Sequence, residues 1–189
     1  SKAGFHATKS EFVDAPLIDE LPMALECKLI SYDPESCRLV GEIVNVSGKI
    51  YAARDAVLPK MVKMIEDGTL AENGIDLQGG VIFHTAVSPA GVGPTSSNKL
   101  EIEGTMPQVT AAGIRMHLGK GALKPETVAM FKEYNAVFAV MAPVTALLES
   151  KVKAKRCLAH PELGMEAFYE LQVEEFPCII AAAQGESMF

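Results

Sequence analysis

The chain has 189 residues, 49% of them hydrophobic and 22% charged, enough apolar material for one sizeable core and too much for a disordered chain. Its formal charge of −7 and pI near 5.1 exclude a nucleic-acid surface built on clustered Lys and Arg. The longest apolar runs, such as Cys178-Ile179-Ile180-Ala181-Ala182-Ala183, fall far short of the ~20 residues that span a bilayer. The N-terminus has no apolar signal core, so the expected location is cytoplasmic, away from membranes. Cysteines 27, 37, 157 and 178 have neither CxxC nor zinc spacing and read as free thiols, so no metal ligands are expected.

In chain order, residues 24–30 and 39–46 alternate apolar and polar side chains and predict two strands. Tyr32-Asp33-Pro34-Glu35-Ser36 is the turn of an antiparallel hairpin. The second strand runs into Ser47-Gly48-Lys49-Ile50-Tyr51, with a turn over residues 51–55. Val57, Met61, Met64 and Ile65 then recur at the spacing of a helix packed on one face and ended by Asp67-Gly68. Residues 80–85 read as a buried strand and 89–93 as a small-residue loop. Thr105 predicts the cap of a short helix with Pro107 in its first turn, ending near Gly113. A strand over 114–118, a turn and a helix opened by Pro125 follow, the helix burying Val128 and Phe131. Residues 136–141, 156–159 and 178–183 complete the strands, with a helix over 144–151 between the first two. Strands alternating with helices argue an α/β fold.

Two loops carry the chemistry. Gly93-Pro94-Thr95-Ser96-Ser97-Asn98-Lys99 and, about one helix and strand later, Gly119-Lys120-Gly121 are small-residue turns that leave N–H groups and hydroxyls free. Each holds a lysine, and the pair suits a small polycarboxylate. Lys120 follows a strand and precedes a helix, an order that presents backbone amides to an anion. His84, His117 and His160 lie at or near strands and read as satisfied structural groups, with no metal triad. Glu162 and Glu166, around Leu163-Gly164-Met165, read as capping or solvated carboxylates rather than catalysts.

Four ordered motifs make residues from about 46 to 189 similar to the β-subunit, or C-terminal domain, of the class I fumarate hydratase and L-tartrate dehydratase family. They are SGKIYAARDA at 47–56, GPTSS at 93–97, HLGKG at 117–121 and ELGMEAFYELQVEEFP at 162–177. The resemblance implies a swivelling β/β/α-type domain, here with an N-terminal β-hairpin extension. It also implies a hydro-lyase subunit that adds or removes water on a dicarboxylate or 2-hydroxy acid. By the same resemblance Thr95 is the catalytic group in proton abstraction, a task for which a bare hydroxyl is too weak without an activating partner. Lys99 stands where the family usually has an arginine gripping a substrate carboxylate, and Arg54 matches a second family arginine able to clamp bidentately. Lys120, Gly119, Gly121 and Ser96 complete the implied substrate site. Lysine offers a point charge where arginine offers a planar fork, so the exchange at Lys99 points away from fumarate itself. The family often continues the Arg-Asp motif with Ala-His, where this chain has Val57-Leu58.

The resemblance also implies what the chain does not carry. The family's [4Fe-4S] cluster is held by cysteines of an α-subunit or N-terminal domain, where it acts as Lewis acid. The expectation is therefore no cofactor here, inactivity alone, a cluster-binding α partner and a homo-oligomer. Residues from about 4 to 46 resemble instead the second half of a flavin reductase-like split barrel, without the upstream flavin-contacting loops. The expected division is residues 1–46 as that β fragment, packed on the main domain, and 47–189 as the fumarase C-terminal-like domain. The contrasting expectation is a non-catalytic assembly or binding module left by a gene fusion.

Overall fold

The computed structural model describes residues 43–94, 98–142 and 144–189, together with the backbone of four short strands before them. Of these, β1 (Ala7–Lys9) pairs antiparallel with β2 (Pro16–Ile18), and β3 (Leu29–Asp33) with β4 (Arg38–Gly41). Most of the strand expected over 24–30, and turn residues 34–36, lie outside the described residues. The strand expected over 39–46 is instead two, because β4 ends at Gly41 and β5 (Val44–Ala53) begins at Val44. β5 runs unbroken through positions 46 and 47, where the two resemblances meet.

The main body then alternates: α1 (Leu58–Glu66), β6 (Val81–His84), α2 (Lys99–Ala111), β7 (Met116–Gly119), α3 (Pro125–Glu133) and β8 (Val137–Val140). After it come α4 (Thr145–Ser150), β9 (Val152–Ala159), β10 (Phe168–Ala183) and β11 (Glu186–Ser187). β5 to β8 are parallel neighbours. The long β10 is antiparallel to β5 along its first part and to β8 from Ile179 onward, which closes the five strands into a barrel-like ring. Closure needs β10 to bend. Its register shifts between Val173 and Phe176 and again between Ile180 and Ala182, and Glu175 takes φ 50° at the first of these. Along its first part β10 also pairs with β9 on its other edge. The expected strand over 178–183 is thus only its second half, since Pro177, a residue that reads as a strand breaker, lies inside it opposite Asn45.

The ring strands β6 and β7 are buried on both faces, which is why Val81-Ile82-Phe83 reads as an unbroken apolar run and why His117 of β7 is buried. Tyr51, Ala53, Ile82 and Phe138 face one cluster together with Leu58, Met61, Met106, Val109 and Phe131 of the three helices. Ile50, Ala52, Phe83, Leu118 and Ala139 face the other with Leu171 and Phe176 of β10, the inward side of the ring. Alternation along each strand sends successive side chains to opposite faces.

α2 departs from expectation. It begins at Lys99, preceded by Asn98 in the left-handed region (φ 54°), and Pro107 lies inside it. Proline costs the helix one backbone bond at that turn. Thr105 caps nothing, its hydroxyl donating back to Ile102 O at 2.8 Å.

Candidate functional site

The carboxyl ends of the parallel strands carry the candidate chemistry: Ala53 leads to Arg54, His84 to Thr85, and Gly119 to Lys120. Ligands of α/β folds gather at such ends because the loops there are free of the sheet. A cleft opens between α2 and the turn after β7, lined by Lys99, Lys120 and Gly119 together with His84, Met106 and Phe138. Both lysines are half-buried. Lys99 reaches over the turn, so that a Cβ added to Gly121 would lie 3.8 Å from its Nζ. Among the described residues neither lysine is ion-paired. A larger apolar cleft of about 150 Å³, lined by Ile43, Val144 and Leu147 among others, lies apart from these groups and has no charged side chain among its described lining residues.

Two further contacts shape the lysine cleft. The Thr85 hydroxyl donates to Gly93 O at 2.7 Å and accepts from Gly93 N–H at 3.1 Å, pinning the base of the loop that leads to Thr95. Thr95, Ser96 and Ser97 themselves lie outside the described residues. Beyond the turn, the buried Glu103 of α2 accepts from Lys124 N–H and the Thr127 hydroxyl, each at 2.7 Å. That carboxylate satisfies free donors at the start of α3 and ties the segment after Gly121 to α2.

Arg54 does not line the cleft. Its Nε donates to Asp55 Oδ1 at 2.7 Å and a terminal nitrogen lies 3.1 Å from Glu166 Oε1. Asp55 accepts in turn from Asn98 Nδ2 at 2.5 Å, so this corner is linked to the residue before Lys99. Burial pushes the Asp55 carboxyl up, but the Asn98 amide and the Arg54 guanidinium outweigh it and hold the group below the ordinary carboxylate range. Glu166 is thus an ion-pair partner of Arg54.

Of His84, His117 and His160, the last is half-buried in the left-handed region with Nδ1 3.1 Å from Glu162 Oε1. His84 and His117 are buried in the helix-facing layer, with His84 Nε2 3.1 Å from His117 Nδ1 and His117 Nε2 2.9 Å from Thr110 Oγ1. Burial lowers His84 to about 4 and, with His84 beside it, His117 well below the ordinary 6.5. Both imidazoles are neutral near pH 7. His117, with both ring nitrogens bonded, is a satisfied structural group as expected, whereas His84 also lines the lysine cleft; the available signal was its place at the carboxyl end of β6. Glu103, Thr110 and Asn98 carried no such signal, because their roles depend on partners distant in sequence.

A cluster of iron and sulfide requires several thiolates converging on one point. Among the described residues Cys178 is buried in the ring with Sγ near Val44 O, Cys157 is exposed on β9, and no group of His, Cys, Asp and Glu could hold a metal. These residues do not fit such a cluster. No helix among the described residues is long and apolar enough to cross a membrane.

The architecture is thus a mixed α/β ring with Lys120 just after a parallel strand and Lys99 at the start of the neighbouring helix, neither ion-paired among the described residues. The chain belongs to the fumarase C-terminus family, whose model matches residues 25–189. That match takes in residues 25–46 as well as the main body. The chain is 33% identical over 165 residues to a protein of Methanocaldococcus jannaschii that carries the name L(+)-tartrate dehydratase subunit beta, covering 79% of this chain and 83% of that one. It is 27% identical to fumarate hydratase 2 of Leishmania major, covering 79% of this chain and 28% of the relative. With the anaerobic class I fumarate hydratase of Escherichia coli it shares 26% identity, over 84% of this chain and 29% of that enzyme. The chain therefore spans less than a third of the fumarate hydratases it matches and most of the tartrate dehydratase subunit.

Proposed function

We propose that this chain is the β-subunit, or C-terminal domain, of a hydro-lyase acting on a dicarboxylate or 2-hydroxy acid, with the cleft between Lys99 and Lys120 receiving a substrate carboxylate. The observation that carries this is the pairing of two lysines, unbalanced among the described residues, across a glycine-flanked turn. A desolvated charge-assisted contact favours an anion there. The names of the relatives support the substrate class, and the coverage of the M. jannaschii protein favours a separate subunit. The described residues do not fit an iron–sulfur cluster, so the reading places it on an α partner, and the chain alone is inactive. In this reading Thr95 abstracts the proton, while Ser96 and the N–H groups near Gly119 and Gly121 help orient the acid. Arg54 joins the carboxylate grip only by leaving Glu166 or sharing its charge between the two. A homo-oligomer and a cytoplasmic location complete the reading.

The competing reading is a non-catalytic assembly module, and the observation that favours it is Arg54 already held by Asp55 and Glu166. The two separate in one experiment. Calorimetry at low salt with malate, L-tartrate and sulfate is expected to show binding to the wild type and a ten- to hundredfold loss in Lys120→Met, from a contact worth roughly 1.5–3 kcal/mol. Folding stability is expected to stay nearly unchanged. Equal affinity in both proteins would defeat the carboxylate site. Purification from cells with an associated cluster-bearing protein, followed by a hydratase assay, distinguishes subunit from module.

A further inference from the structure

The proposed chemistry leaves two buried imidazoles unused. Parallel pairing sets Ile82 opposite His117, and alternation along the strands then brings His84 beside Gly119 on the same helix-facing side. The direction of each bond in the chain follows from its outer end. Thr110 has one hydroxyl proton and donates it to Met106 O at 2.6 Å, so its oxygen accepts from His117 Nε2 at 2.9 Å. Neutral His117 then presents the lone pair of Nδ1, and His84 donates into it from Nε2 across 3.1 Å. The His84 ring lies beside the turn: the two line one cleft, and a Cβ on Gly119 would lie 3.9 Å from His84 Cδ2 and 3.1 Å from the Phe138 ring. Lys120 is the next residue.

We propose that Thr110, His117 and His84 form a brace that sets the Gly119-Lys120-Gly121 turn against α2, and with it the placement of Lys120 relative to Lys99. The brace joins the helix that begins at Lys99 to the turn that carries Lys120. Directional bonds between buried polar groups fix Thr110, His117 and His84 relative to one another more tightly than apolar contacts, which can slide and repack. The last step to the turn is close packing of the His84 ring beside a glycine with no side chain to intervene. Losing one partner leaves a buried donor or acceptor unsatisfied, and neighbouring elements shift to satisfy it. His84 and His117 are therefore positioning residues; the consequence for affinity rests on the carboxylate reading above.

The test compares the wild type with Thr110→Val, which removes the acceptor, and Thr110→Ser, which keeps it. Thr110 does not line the cleft, but its hydroxyl also bonds Met106 O and Met106 does line it, so shifts at Lys120 count for the brace only where His84→Leu reproduces them. Long-range ¹H–¹⁵N spectra of the wild type are expected to show both imidazoles as the Nε2–H tautomer. Backbone amide resonances of Lys120 and Gly121 are expected to move in Thr110→Val and return in Thr110→Ser. L-tartrate affinity should fall about tenfold in the first and recover to within about twofold in the second, as expected when one hydrogen bond is lost and restored. An Nδ1–H tautomer at either imidazole, or unmoved Lys120 and Gly121 resonances in Thr110→Val, overturns the brace. Resonances that follow this pattern in a wild type that binds no tartrate keep the brace and overturn the carboxylate reading instead. Should Thr110→Val not fold, His84→Leu against His84→Gln, whose amide nitrogen reaches the place of Nε2, is read by the same resonances with the same outcomes.

Discussion

Two charged groups flank the start of α2 and differ in balance. On one side Arg54 meets both Asp55 and Glu166, and Asp55 also meets Asn98. On the other, Lys99 and Lys120 share a cleft with no ion-paired carboxylate among the described residues. A balanced cluster in a partly buried setting fixes its own geometry and gains little from a further anion. An unbalanced one is poised for an anion from outside. The contrast supports the proposed placement of a substrate carboxylate beside Lys99, although lysine is a weaker carboxylate ligand than arginine: in that reading what matters is which cations have no ion-pair partner among the described residues.

The largest effect that tests this contrast comes from acid, because the floor of the unbalanced side is kept uncharged by burial. The unfolded chain takes up a proton at His84 as pH falls through 6.5, while the folded chain resists until about 4. The unfolded state therefore binds more protons across that window, and stability, complete above 6.5, is lost as pH falls. At about 1.4 kcal/mol per pH unit the loss from His84 alone comes to about 3 kcal/mol, and His117 adds to it with the same sign. Urea unfolding at pH 7 and pH 4.5 measures it, and His84→Gln should flatten the dependence. Stability that does not fall toward pH 4.5 would mean a charged or open His pair.

Next in size is the lysine opposite the turn. Lys99→Met is expected to weaken L-tartrate binding ten- to hundredfold by calorimetry, since a charge-assisted contact is worth roughly 1.5–3 kcal/mol. Lys99→Arg is expected to retain or tighten it through a bidentate grip. Unchanged affinity in Lys99→Met would erase the distinction between the two sides. On the balanced side Asp55→Asn removes a charge from Arg54 and is expected to cost about 1 kcal/mol of unfolding free energy. It should leave tartrate affinity equal or slightly higher as Arg54 is released. A marked loss of affinity there would place Arg54 and Asp55 in the binding machinery as a unit. Smallest is the exposed pair Lys153 and Glu174 at 3.1 Å on the β9–β10 ribbon, where Lys153→Ala should shift stability by less than about 0.5 kcal/mol in a thermal melt.

Local pattern alone made most of the elements legible. The spacing of Val57, Met61, Met64 and Ile65 lies in α1 or at its N-cap, and Pro125 opens α3 at its first turn. Residues 80–85 and 136–141 hold β6 and β8 because parallel strands buried on both faces leave continuous apolar runs. The turn after β7 that carries Lys120 was legible as well, because flanking glycines mark a turn, whereas residues 95–97 of the other expected turn lie outside the described residues and Lys99 opens α2. Where tertiary contacts override local preference, pattern failed. Pro107 sits on the exposed side of α2, whose buried neighbours Met106 and Val109 hold the helix to the core, and Pro177 sits inside β10 next to its first register shift.

The amino-acid sequence by itself determined the order of strands and helices, the family to which the chain belongs and the turn that carries Lys120. These depend on residues near one another in the chain. Only the tertiary structure decided that β10 would bend to close the ring, that Lys99 would reach over Gly121, and that Arg54 would be held by Asp55 and Glu166. It alone joined Thr110 to His117 and His84, groups up to 33 residues apart. The physical reason is that register, closure and charge balance are properties of pairs brought together by folding, and one-dimensional periodicity records which face a residue occupies but not which partner it meets there.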